Sequence, residues 1–574
     1  MGTISDKLMR IINTKEDIRQ ALISKGYDVP TSIPFKEYAK MISDLPCRVD
    51  SFPDIEGIVA RYSALGLTNE QMAANPVWVD KTGNGHDLQM KNFAWKEGSG
   101  ISDIYPGALV FDGVDDYGAC DNFPILTKEK GYTVVALRQW ISMGEGVSGL
   151  VSNVKNWFND GAFVLEYNSN NATNKFVNRP VSFGNVNIEM DLPNNFTYQT
   201  SKSYKGVPIT TGSFKGTNSL FVGKLNNIIG NCSNVAIWEL VFLDHDATEE
   251  ELTKIKDYFV KTYPWLFPDQ AWTVTGKTNE DEDRATIANI TGNGNDLVLS
   301  NFGFAEGSGY GLYAYNFNSF NLKDNVVKPT DVKKDSFRII GTGDNSNVLV
   351  LSNTSNSADW KIRITGMKEG DRCLIGNANK SGEYISVNKD GTYTFQKQYA
   401  ATSTNGIWYN SSQEVDVLVE QIPEYEGYLI TDGVDDKVES SPFTLNKDWT
   451  IVGNWTMLSN IPSNCGIIKV SSMFLYNSLD GVTIYFAGGP IKIQSKSINA
   501  FCSDRRIYLN DWTEILKPDA QIASGGSKSS LNIASYSANF TKMAFKNLAI
   551  YDGKNLSKDE CIKAYNYLQT LKAK

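Results

Sequence analysis

The sequence predicts a mainly β protein with two similar β-sandwiches, the second interrupted by a smaller β-sandwich, and an N-terminal helical segment. Three observations predict this fold class: an internal duplication, unequal spacing of the duplicated motifs, and short alternating apolar runs separated by Gly, Asn, Asp and Ser. Such runs between turn-forming residues are typical of antiparallel sandwiches.

The duplication is clearest in a glycine-rich segment that occurs twice. GNGHDLQMKNFAWKEGSG begins at Gly83 and GNGNDLVLSNFGFAEGSG begins at Gly292, and the two match at 11 of 18 positions. Each copy later contains DGVDD, at 112–116 and at 432–436. Residue order is preserved as well as composition, which indicates a duplicated structure.

The spacing of the two motifs indicates an insertion in the second copy. From Gly83 to Asp112 is 29 residues, whereas from Gly292 to Asp432 is 140. The extra residues contain alternating runs of their own, such as SFRIIGT and EVDVLVEQI. We therefore predict one sandwich at 54–266, a second at 271–317 plus 427–574, and a small inserted sandwich at 318–426, whose ends must lie close together because it interrupts a folded domain.

The N-terminal segment, residues 1–50, is predicted to be helical. Its apolar residues follow heptad spacing, with Lys15 at one polar position: Ile4, Leu8, Ile11, Ile18 and Leu22. Two interpretations stay open, a helical hairpin packed on the first sandwich and a module for oligomerisation or docking. A segment this short cannot bury a core alone, so either one needs a partner surface.

The DGVDD motifs are predicted to be turns between strands. Gly113 and Gly433 are expected at positive φ, and Asp115 and Asp435 are expected to accept hydrogen bonds from nearby backbone amides. A ligand site and a calcium site are the alternatives, because carboxylate oxygens are ligands that calcium prefers. The calcium candidates are Asp112, Asp115, Asp116, Asp432, Asp435 and Asp436. We expect no cofactor otherwise.

Composition excludes several classes of function. A net charge of −10 argues against a nucleic-acid partner, which usually requires a basic face. No apolar run is long enough for a membrane helix, so no membrane insertion is expected. The N-terminus lacks the apolar stretch of a secretory signal. The seven cysteines are scattered without a CxxC pair, which predicts buried reduced thiols in a protein made in a cytoplasm.

Catalytic residue sets are not recognisable, and we predict no enzymatic activity. Glycosidases of this shape carry acidic residues alternating along a strand, but NIEMD supplies only Glu189 and Asp191. Two histidines, His86 and His245, do not complete a Ser-His-Asp triad. His86 corresponds to Asn295 in the second copy, which predicts a polar turn residue rather than a catalytic one.

Aromatic residues make up 11% of the chain, and sugar faces stack on aromatic rings. Tryptophans in apolar strand patterns are assigned to the core: Trp140, Trp238 and Trp455. Trp95 and Phe304 occupy equivalent positions in the two copies, which indicates packing. The tryptophans assigned to polar loops are the candidates for ligand contact: Trp157, Trp408 and Trp512.

Two resemblances to known families add to these expectations. The glycine-rich turn, FDGVDDY and the closing strand and helix resemble concanavalin A-like or laminin G-like jelly-roll domains. NTKEDIRQALISKG followed by FKEYAKMI, together with segments of the insert, resembles fibre and appendage proteins of tailed phages, such as those of gut Bacteroidetes. The resemblance implies a structural virion protein made in the bacterial cytoplasm, forming a homo-oligomer, bound to capsid or tail proteins and adhering to host-surface glycans.

Two other functions stay open. One is a bacterial surface or secreted carbohydrate-binding protein, which the missing signal segment disfavours. The other is a glycan-cleaving enzyme, which the missing carboxylate set disfavours. Location on head or tail does not follow from the sequence.

Overall fold

A computed structural model describes most of the chain from residue 52 onward. The described residues are Lys15, Ile18, Arg19, Pro34, 52–142, 148–155, 163–168, 176–178, 186–188, 195–208, 216–226, 232–305, 307–311, 321–322, 328–333, 336–341, 347–350, 360–377, 382, 384–395, 405–422, 425–458, 466–470, 473–478, 481–486, 489–493, 495, 497–516, 528–536 and 539–573. They belong to two compact units, residues 1–56 with 248–258, and residues 57–247 with 259–574.

The first sandwich consists of two antiparallel eight-stranded sheets. Its strands are β1 Ile58–Ser63, β2 Val77–Trp78, β3 Leu88–Lys91, β4 Gly100–Ile101, β5 Leu109–Asp112, β6 Tyr117–Cys120, β7 Thr133–Ser142, β8 Ser148–Ser152, β9 Val164–Asn168, β10 Phe176–Asn178, β11 Val186–Ile188, β12 Phe196–Thr200, β13 Ser203–Tyr204, β14 Val207–Pro208, β15 Leu220–Val222 and β16 Asn234–Leu243. One sheet has the order β14-β13-β12-β7-β16-β5-β4, with β1 also on β16, and the other has β11-β10-β9-β8-β15-β6-β3-β2.

The second sandwich begins with four strands and is then interrupted. These are β17 Gln270–Thr273, β18 Thr286–Ile287, β19 Leu297–Ser300 and β20 Gly309–Tyr310. The interrupting strands pair into two five-stranded sheets, β21-β24-β29-β26-β27 and β22-β23-β30-β25-β28. They are β21 Asn321–Leu322, β22 Lys328–Thr330, β23 Ser336–Gly341, β24 Asn347–Val350, β25 Trp360–Thr365, β26 Arg372–Asn377, β27 Tyr384–Val387, β28 Gly391–Phe395, β29 Asn405–Asn410 and β30 Val415–Ile422.

The chain then re-enters the second sandwich beside the point where it left. Strand β31 Leu429–Ile430 pairs with β20, and the amide of Gly311 donates to the carbonyl of Tyr428 at 2.9 Å. The returning strands are β32 Lys437–Ser440, β33 Phe443–Thr444, β34 Trp449–Met457, β35 Gly466–Val470, β36 Met473–Ser478, β37 Gly481–Phe486, β38 Gly489–Ile493, β39 Ile498–Cys502, β40 Arg506–Leu509, β41 Glu514–Leu516, β42 Lys528–Ser529, β43 Asn532–Ile533, β44 Ser535–Tyr536, β45 Asn539–Phe540 and β46 Met543–Asp552.

The two sheets of the second sandwich have the orders β20-β31-β46-β34-β39-β40-β41, with β17 also on β46, and β18-β19-β32-β43-β35-β36-β37-β38. Each sandwich and the insert encloses a separate apolar core, which includes Phe111 and Leu240, Ile451 and Phe545, and Ile364 and Val417, respectively. The predicted fold class, mainly β with two sandwiches of which the second is interrupted by a smaller one, is confirmed.

Three α-helices accompany the sheets in the described part of the chain from residue 52 onward. They are α1 Asn69–Ala74, α2 Glu249–Thr262 and α3 Lys558–Gln569. Thr68 and Ser557 are the N-caps of α1 and α3, and each forms a capping box. The cap hydroxyl accepts a hydrogen bond from the backbone amide three residues later, and the side chain of that later residue accepts one from the backbone amide of the cap. No helix among the described residues is both long and apolar enough to cross a membrane.

Helix α3 connects the two sandwiches. It covers the outer face of the sheet that contains β34 and β46, burying Cys561, Ala564 and Leu568. At its other side, the Asn195 amide donates to the Tyr567 hydroxyl at 2.9 Å, and the Gln139 amide donates to the Thr570 hydroxyl at 3.0 Å. Asn195 and Gln139 belong to the first sandwich, so the closing helix of the second joins both.

Candidate functional site

The DGVDD turns are held by the first and last aspartates of each motif. Asp112 Oδ1 accepts the amide of Val114 at 2.8 Å, and Asp116 Oδ2 accepts the amide of Asp112 at 3.1 Å. The expectation that Asp115 accepts these backbone hydrogen bonds was wrong. Its carboxylate is exposed, and the side chain of Asp112, at the start of the turn, accepts them instead, as in an Asx-turn.

The second copy repeats this arrangement. Asp432 accepts the amide of Val434 at 2.7 Å, and Asp436 accepts the amide of Asp432 at 2.7 Å, so Asp435 was also wrongly assigned. The predicted positive φ angles are confirmed, at 80° for Gly113 and 78° for Gly433. At Gly113 a Cβ would also lie 2.8 Å from the Cβ of Asn234.

The same aspartates form two acidic clusters. In each, one oxygen from every carboxylate lies within 4.8 Å of the others: Asp112, Asp115 and Asp116, and Asp432, Asp435 and Asp436. Burial raises the pKa of Asp116 to about 6, against the hydrogen bonds from Ser99 and from the Asp112 amide. The pKa of Asp436 is raised to about 6 for the same reason. Backbone amides bond Asp112 Oδ1 and Asp116 Oδ2, and the equivalent oxygens of the second copy, which supports the turn role, and calcium stays a prediction.

His86 occupies a turn and contributes through its backbone. Its carbonyl accepts the Tyr62 hydroxyl, and its amide donates to Asp80 at 3.3 Å. In the second copy the carbonyl of Asn295 accepts the Trp272 indole N–H at 3.0 Å. The shared feature is a carbonyl, which either residue type supplies. Glu189 and Asp191 lie outside the described residues.

The first sandwich contains a buried carboxylate that accepts hydrogen bonds from four side chains. Glu166 receives Arg138 Nε at 2.7 Å, Trp140 Nε1 at 2.8 Å, Thr197 Oγ1 at 2.7 Å and the Tyr204 hydroxyl at 2.6 Å. Burial alone would raise the pKa of Glu166, but the Arg138 charge and these bonds lower it to about 2. A carboxylate saturated in this way is a structural anion and is not available for proton transfer.

The predicted core aromatics are buried, as expected: Trp140, Trp238 and Trp455. Packing also explains the equivalent pair Trp95 and Phe304. The Trp95 ring stacks on Phe93 at a centroid distance of 4.8 Å, and the Phe304 ring lies 6.3 Å from that of Tyr310.

Two of the three ligand-contact candidates fall within the described residues. Trp512 lies in the turn after β40, half-buried at φ 63°, and its ring meets the edge of Tyr565 on α3 at 5.6 Å. Trp408 was assigned to a loop but lies in β29. Residues Gly406 to Asn410 point alternately to the core and to the outer face, as in any strand. Trp157 lies outside the described residues, as do four heptad positions: Ile4, Leu8, Ile11 and Leu22. Ile18 is helical.

Trp408 lies on the outer face of an insert sheet, beside a pair of glycines. Its neighbours Ile407 and Tyr409 point into the insert core, so Trp408 points outward. Two residues away along the same face, Gly406 lies directly opposite Gly376 of β26. Neither glycine carries a side chain, and both are buried, so the backbone beside the indole is covered.

A second aromatic residue lies beside this pair of glycines, on the next strand. Tyr384 of β27 is directly opposite Gly376 and is half-buried. Since β29 and β27 are separated by one strand, Trp408 and Tyr384 stand roughly 10 Å apart across the sheet. Sequence reasoning missed Tyr384, although the alternation in EYISVN, which places Ile385 and Val387 on the core side, indicated its outward direction.

Polar groups border these aromatics. Arg372 is exposed and opposite Asn410, and its Nε donates to the Ser386 hydroxyl at 3.1 Å. Leu374 lies between Trp408 and Ser386 on the same face, directly opposite each of them. We call the face formed by Trp408, Leu374, Tyr384, Gly376, Gly406, Arg372, Ser386 and Asn410 the Trp408 platform.

The other sheet of the insert has a contrasting outer face. It carries charged residues of both signs, including an Arg338–Asp416 ion pair at 3.0 Å: Arg338, Lys361, Arg363, Asp416 and Glu420. That composition is typical of a solvated surface. The Trp408 platform combines two aromatic rings and Leu374 with neutral hydrogen-bonding groups and one arginine, as ligand sites that pair apolar surface with a few polar groups do.

No known protein family and no curated protein sequence matches the chain. Among solved structures it is similar to Trypanosoma rangeli sialidase in complex with sialic acid, with 12% identity and a TM-score of 0.26 over 36% of this chain and 34% of that one. It is also similar to the botulinum neurotoxin serotype C1 binding domain, with 13% identity and a TM-score of 0.26 over 62% of this chain and 98% of that one. The chain thus spans about a third of the sialidase. At these TM-scores the likenesses carry no argument about function.

Proposed function

We propose that this chain is a glycan-adhesion protein whose ligand lies on the Trp408 platform. The observation that carries the proposal is the pair of outward, half-buried aromatic residues, Trp408 and Tyr384, on one face of the sheet formed by β29, β26 and β27. Pyranose rings present apolar C–H faces that stack on aromatic rings.

The border residues supply the polar part of the recognition. Sugar hydroxyls both donate and accept hydrogen bonds, and the Ser386 hydroxyl, which accepts from Arg372, can still donate one. Arg372 donates only, which favours a sugar with a carboxylate or another oxygen-rich substituent.

Truncation of the platform tests this proposal. Trp408→Ala is expected to weaken binding to the polysaccharides that the unaltered protein binds, by about tenfold or more. This is a loss of roughly 1.4 kcal/mol of binding free energy, because the substitution removes stacking area without disturbing the core. Binding would be measured on an array of bacterial polysaccharides, followed by titration of the positive ones.

Two further variants make the experiment decisive. Tyr384→Ala should reduce binding in the same way, whereas Leu418→Ala, on the outer face of the other sheet, should leave binding unchanged. Full binding by Trp408→Ala would reject the platform. Loss in Trp512→Ala instead would move the site to the second sandwich.

We further propose that the protein belongs to the virion of a tailed phage and adheres to host-surface glycans as part of a fibre or appendage. The support is the resemblance of residues 1–50 and of the insert to such proteins, together with a described architecture of tandem sandwiches. A homo-oligomer bound to capsid or tail proteins is part of the proposal. Mass spectrometry of purified particles tests it, and absence of the chain from the particles would reject it.

A bacterial surface or secreted carbohydrate-binding protein is the second candidate, because the platform would serve it equally well. Fractionation of uninfected bacteria that carry the gene distinguishes the two, since only this candidate expects the chain on the cell surface without particles. A glycan-cleaving activity would instead be detected as release of reducing ends from the bound polysaccharide.

A further inference from the structure

Two buried cysteines of the second sandwich meet at the start of helix α3. Cys502 ends strand β39, and Cys561 lies in the first turns of α3. Their Sγ atoms are 3.8 Å and 3.9 Å from the same carbonyl oxygen, that of Leu556. The two fully buried thiols therefore lie close together around this carbonyl.

The surroundings distinguish the two sulfurs. The hydroxyl of Thr450 lies 3.5 Å from Cys502 Sγ, and Arg506 places a positive charge near it. The hydrogen bond from the Cys561 thiol, with these groups, lowers the pKa of Cys502. The same bond and burial raise the pKa of Cys561. Cys502 is therefore the sulfur that more readily becomes a thiolate, the nucleophilic form.

The other described cysteines differ from this pair. Cys120, Cys232 and Cys373 are buried, and burial is the main cause that raises the pKa of each thiol. Cys373 lies in the insert core, where its pKa is raised to about 12. It provides a matched control, because it is equally buried and lies in a different domain from the pair.

We propose that Cys502 and Cys561 are a disulfide-forming site that hydrogen peroxide oxidises in the folded protein. The Cys502 thiolate attacks one peroxide oxygen, the O–O bond breaks, and hydroxide leaves with a sulfenic acid on Cys502. The Cys561 sulfur then attacks Cys502, displacing hydroxide. Two thiol protons neutralise the two hydroxides, so two thiols and one peroxide give one disulfide and two waters.

The position of the bond gives it a structural consequence. It would fix the first turns of α3 to strand β39, whereas the last turn of α3 contacts Asn195 and Gln139 of the first sandwich. Oxidation therefore fastens the helix that connects the sandwiches. A covalent link across 58 intervening residues also restricts the unfolded chain, which is expected to raise the melting temperature by a few degrees.

The experiment treats the full-length protein with hydrogen peroxide under native conditions and measures intact mass, tryptic peptides and Tm. The expected result is a loss of two hydrogens, a cross-linked peptide containing Cys502 and Cys561, and a higher Tm that a phosphine reductant reverses. Cys373→Ser should retain all three changes, and Cys561→Ser should lose them.

The outcomes against the proposal are equally concrete. Addition of two or three oxygens to Cys502 without a cross-link, or a cross-link that forms only in denaturant, would overturn it. A different cysteine pairing would do the same. Because peptide mapping of the unaltered chain gives these results, the proposal stays testable even where Cys561→Ser does not fold.

Discussion

The two sandwiches share their turn-forming hydrogen bonds but differ in the polar groups buried behind them. Asn69 of the first copy receives the amide of Ile101 at 2.7 Å, and Asn279 of the second receives the amide of Tyr310 at 2.7 Å. The carbonyl of Asp115 accepts Asn92 at 2.9 Å, and that of Asp435 accepts its counterpart Asn301 at 3.0 Å.

The two copies differ in their buried charged residues. In the first, Arg61 pairs with Glu239 at 3.2 Å, and its amide donates to Asp80 at 3.0 Å. In the second, the equivalent amide belongs to Ala271 and donates to neutral Asn289 at 3.2 Å. The same backbone geometry thus persists after an ion pair and a carboxylate have been replaced by neutral residues.

This difference shows which interactions specify the fold. Side chains that bond backbone amides at turns occur in both copies, because those amides have no strand partner and must be satisfied. Buried ion pairs occur where neighbouring groups supply all the hydrogen bonds that the charged atoms need. Replacing both residues of such a pair by apolar residues often changes the free energy of unfolding little. Three measurements test this division.

The largest effect is expected from breaking a charge network that is described only in the first sandwich. Glu166→Ala leaves the Arg138 guanidinium buried without its carboxylate, which costs about 3–5 kcal/mol of the free energy of unfolding. Denaturant unfolding monitored by proteolysis of the first sandwich would measure this.

The matched control removes both charges. Arg138→Met combined with Glu166→Leu should recover most of the lost stability, because no unpaired charge is left. If the single and double variants are equally destabilised, the network contributes more than charge pairing, and the proposed division between turn bonds and ion pairs fails.

An intermediate effect is expected at the shared turns. Asp112→Ala leaves the amide of Val114 and those that follow it in the turn without their acceptor, and it should cost about 1–3 kcal/mol. Asp115→Ala removes an exposed carboxylate and should change stability by less than about 0.5 kcal/mol. The Asp432→Ala and Asp435→Ala variants should repeat this contrast in the second copy.

Thermal unfolding in the presence and absence of a chelator provides the readout. Equal losses for Asp112→Ala and Asp115→Ala, together with a Tm that the chelator lowers by many degrees, would assign the aspartates to calcium instead of the turn.

The smallest effect concerns pH. The pKa of Asp116 and of Asp436 is raised to about 6 in the folded state, above the value of about 3.9 in an unfolded chain. The stability that this difference contributes is present below about pH 4 and is lost as pH rises through about 6. Asp116→Asn should therefore be more stable than the unaltered protein at pH 7.5, by on the order of 1 kcal/mol, and not at pH 4.

Urea unfolding at these two pH values measures the effect, and comparison of variant with parent cancels the titration of other groups. A difference that is the same at both pH values would show that the Asp116 carboxyl does not titrate between them.

The sequence predicted the sheets well because alternation and turn residues are local signals. It identified DGVDD as a turn and Gly113 as a positive-φ position, since only backbone conformation was at issue. It assigned the amide acceptor to Asp115 rather than Asp112, because the direction of a carboxylate depends on the completed turn.

The platform shows a second kind of limit. Trp408 was chosen as a ligand-contact candidate because it lies in a polar sequence segment, which was assigned to a loop but forms a strand. Tyr384 was missed. Their relationship depends on the register of β26 with β27 and of β26 with β29, which brings together residues more than 20 positions apart. Cross-strand register is set by the whole sheet, and no local sequence motif predicts it.

The hydrogen bond between Gly311 and Tyr428 has a consequence for how this protein can evolve. The chain leaves and re-enters the second sandwich at neighbouring positions of one sheet edge, where β20 and β31 pair directly with each other. The length of an insert costs little free energy once its ends are fixed. A recombination event could exchange the domain between these two residues for an unrelated one, changing the surface that the chain presents in a single step while the host strands keep their pairing.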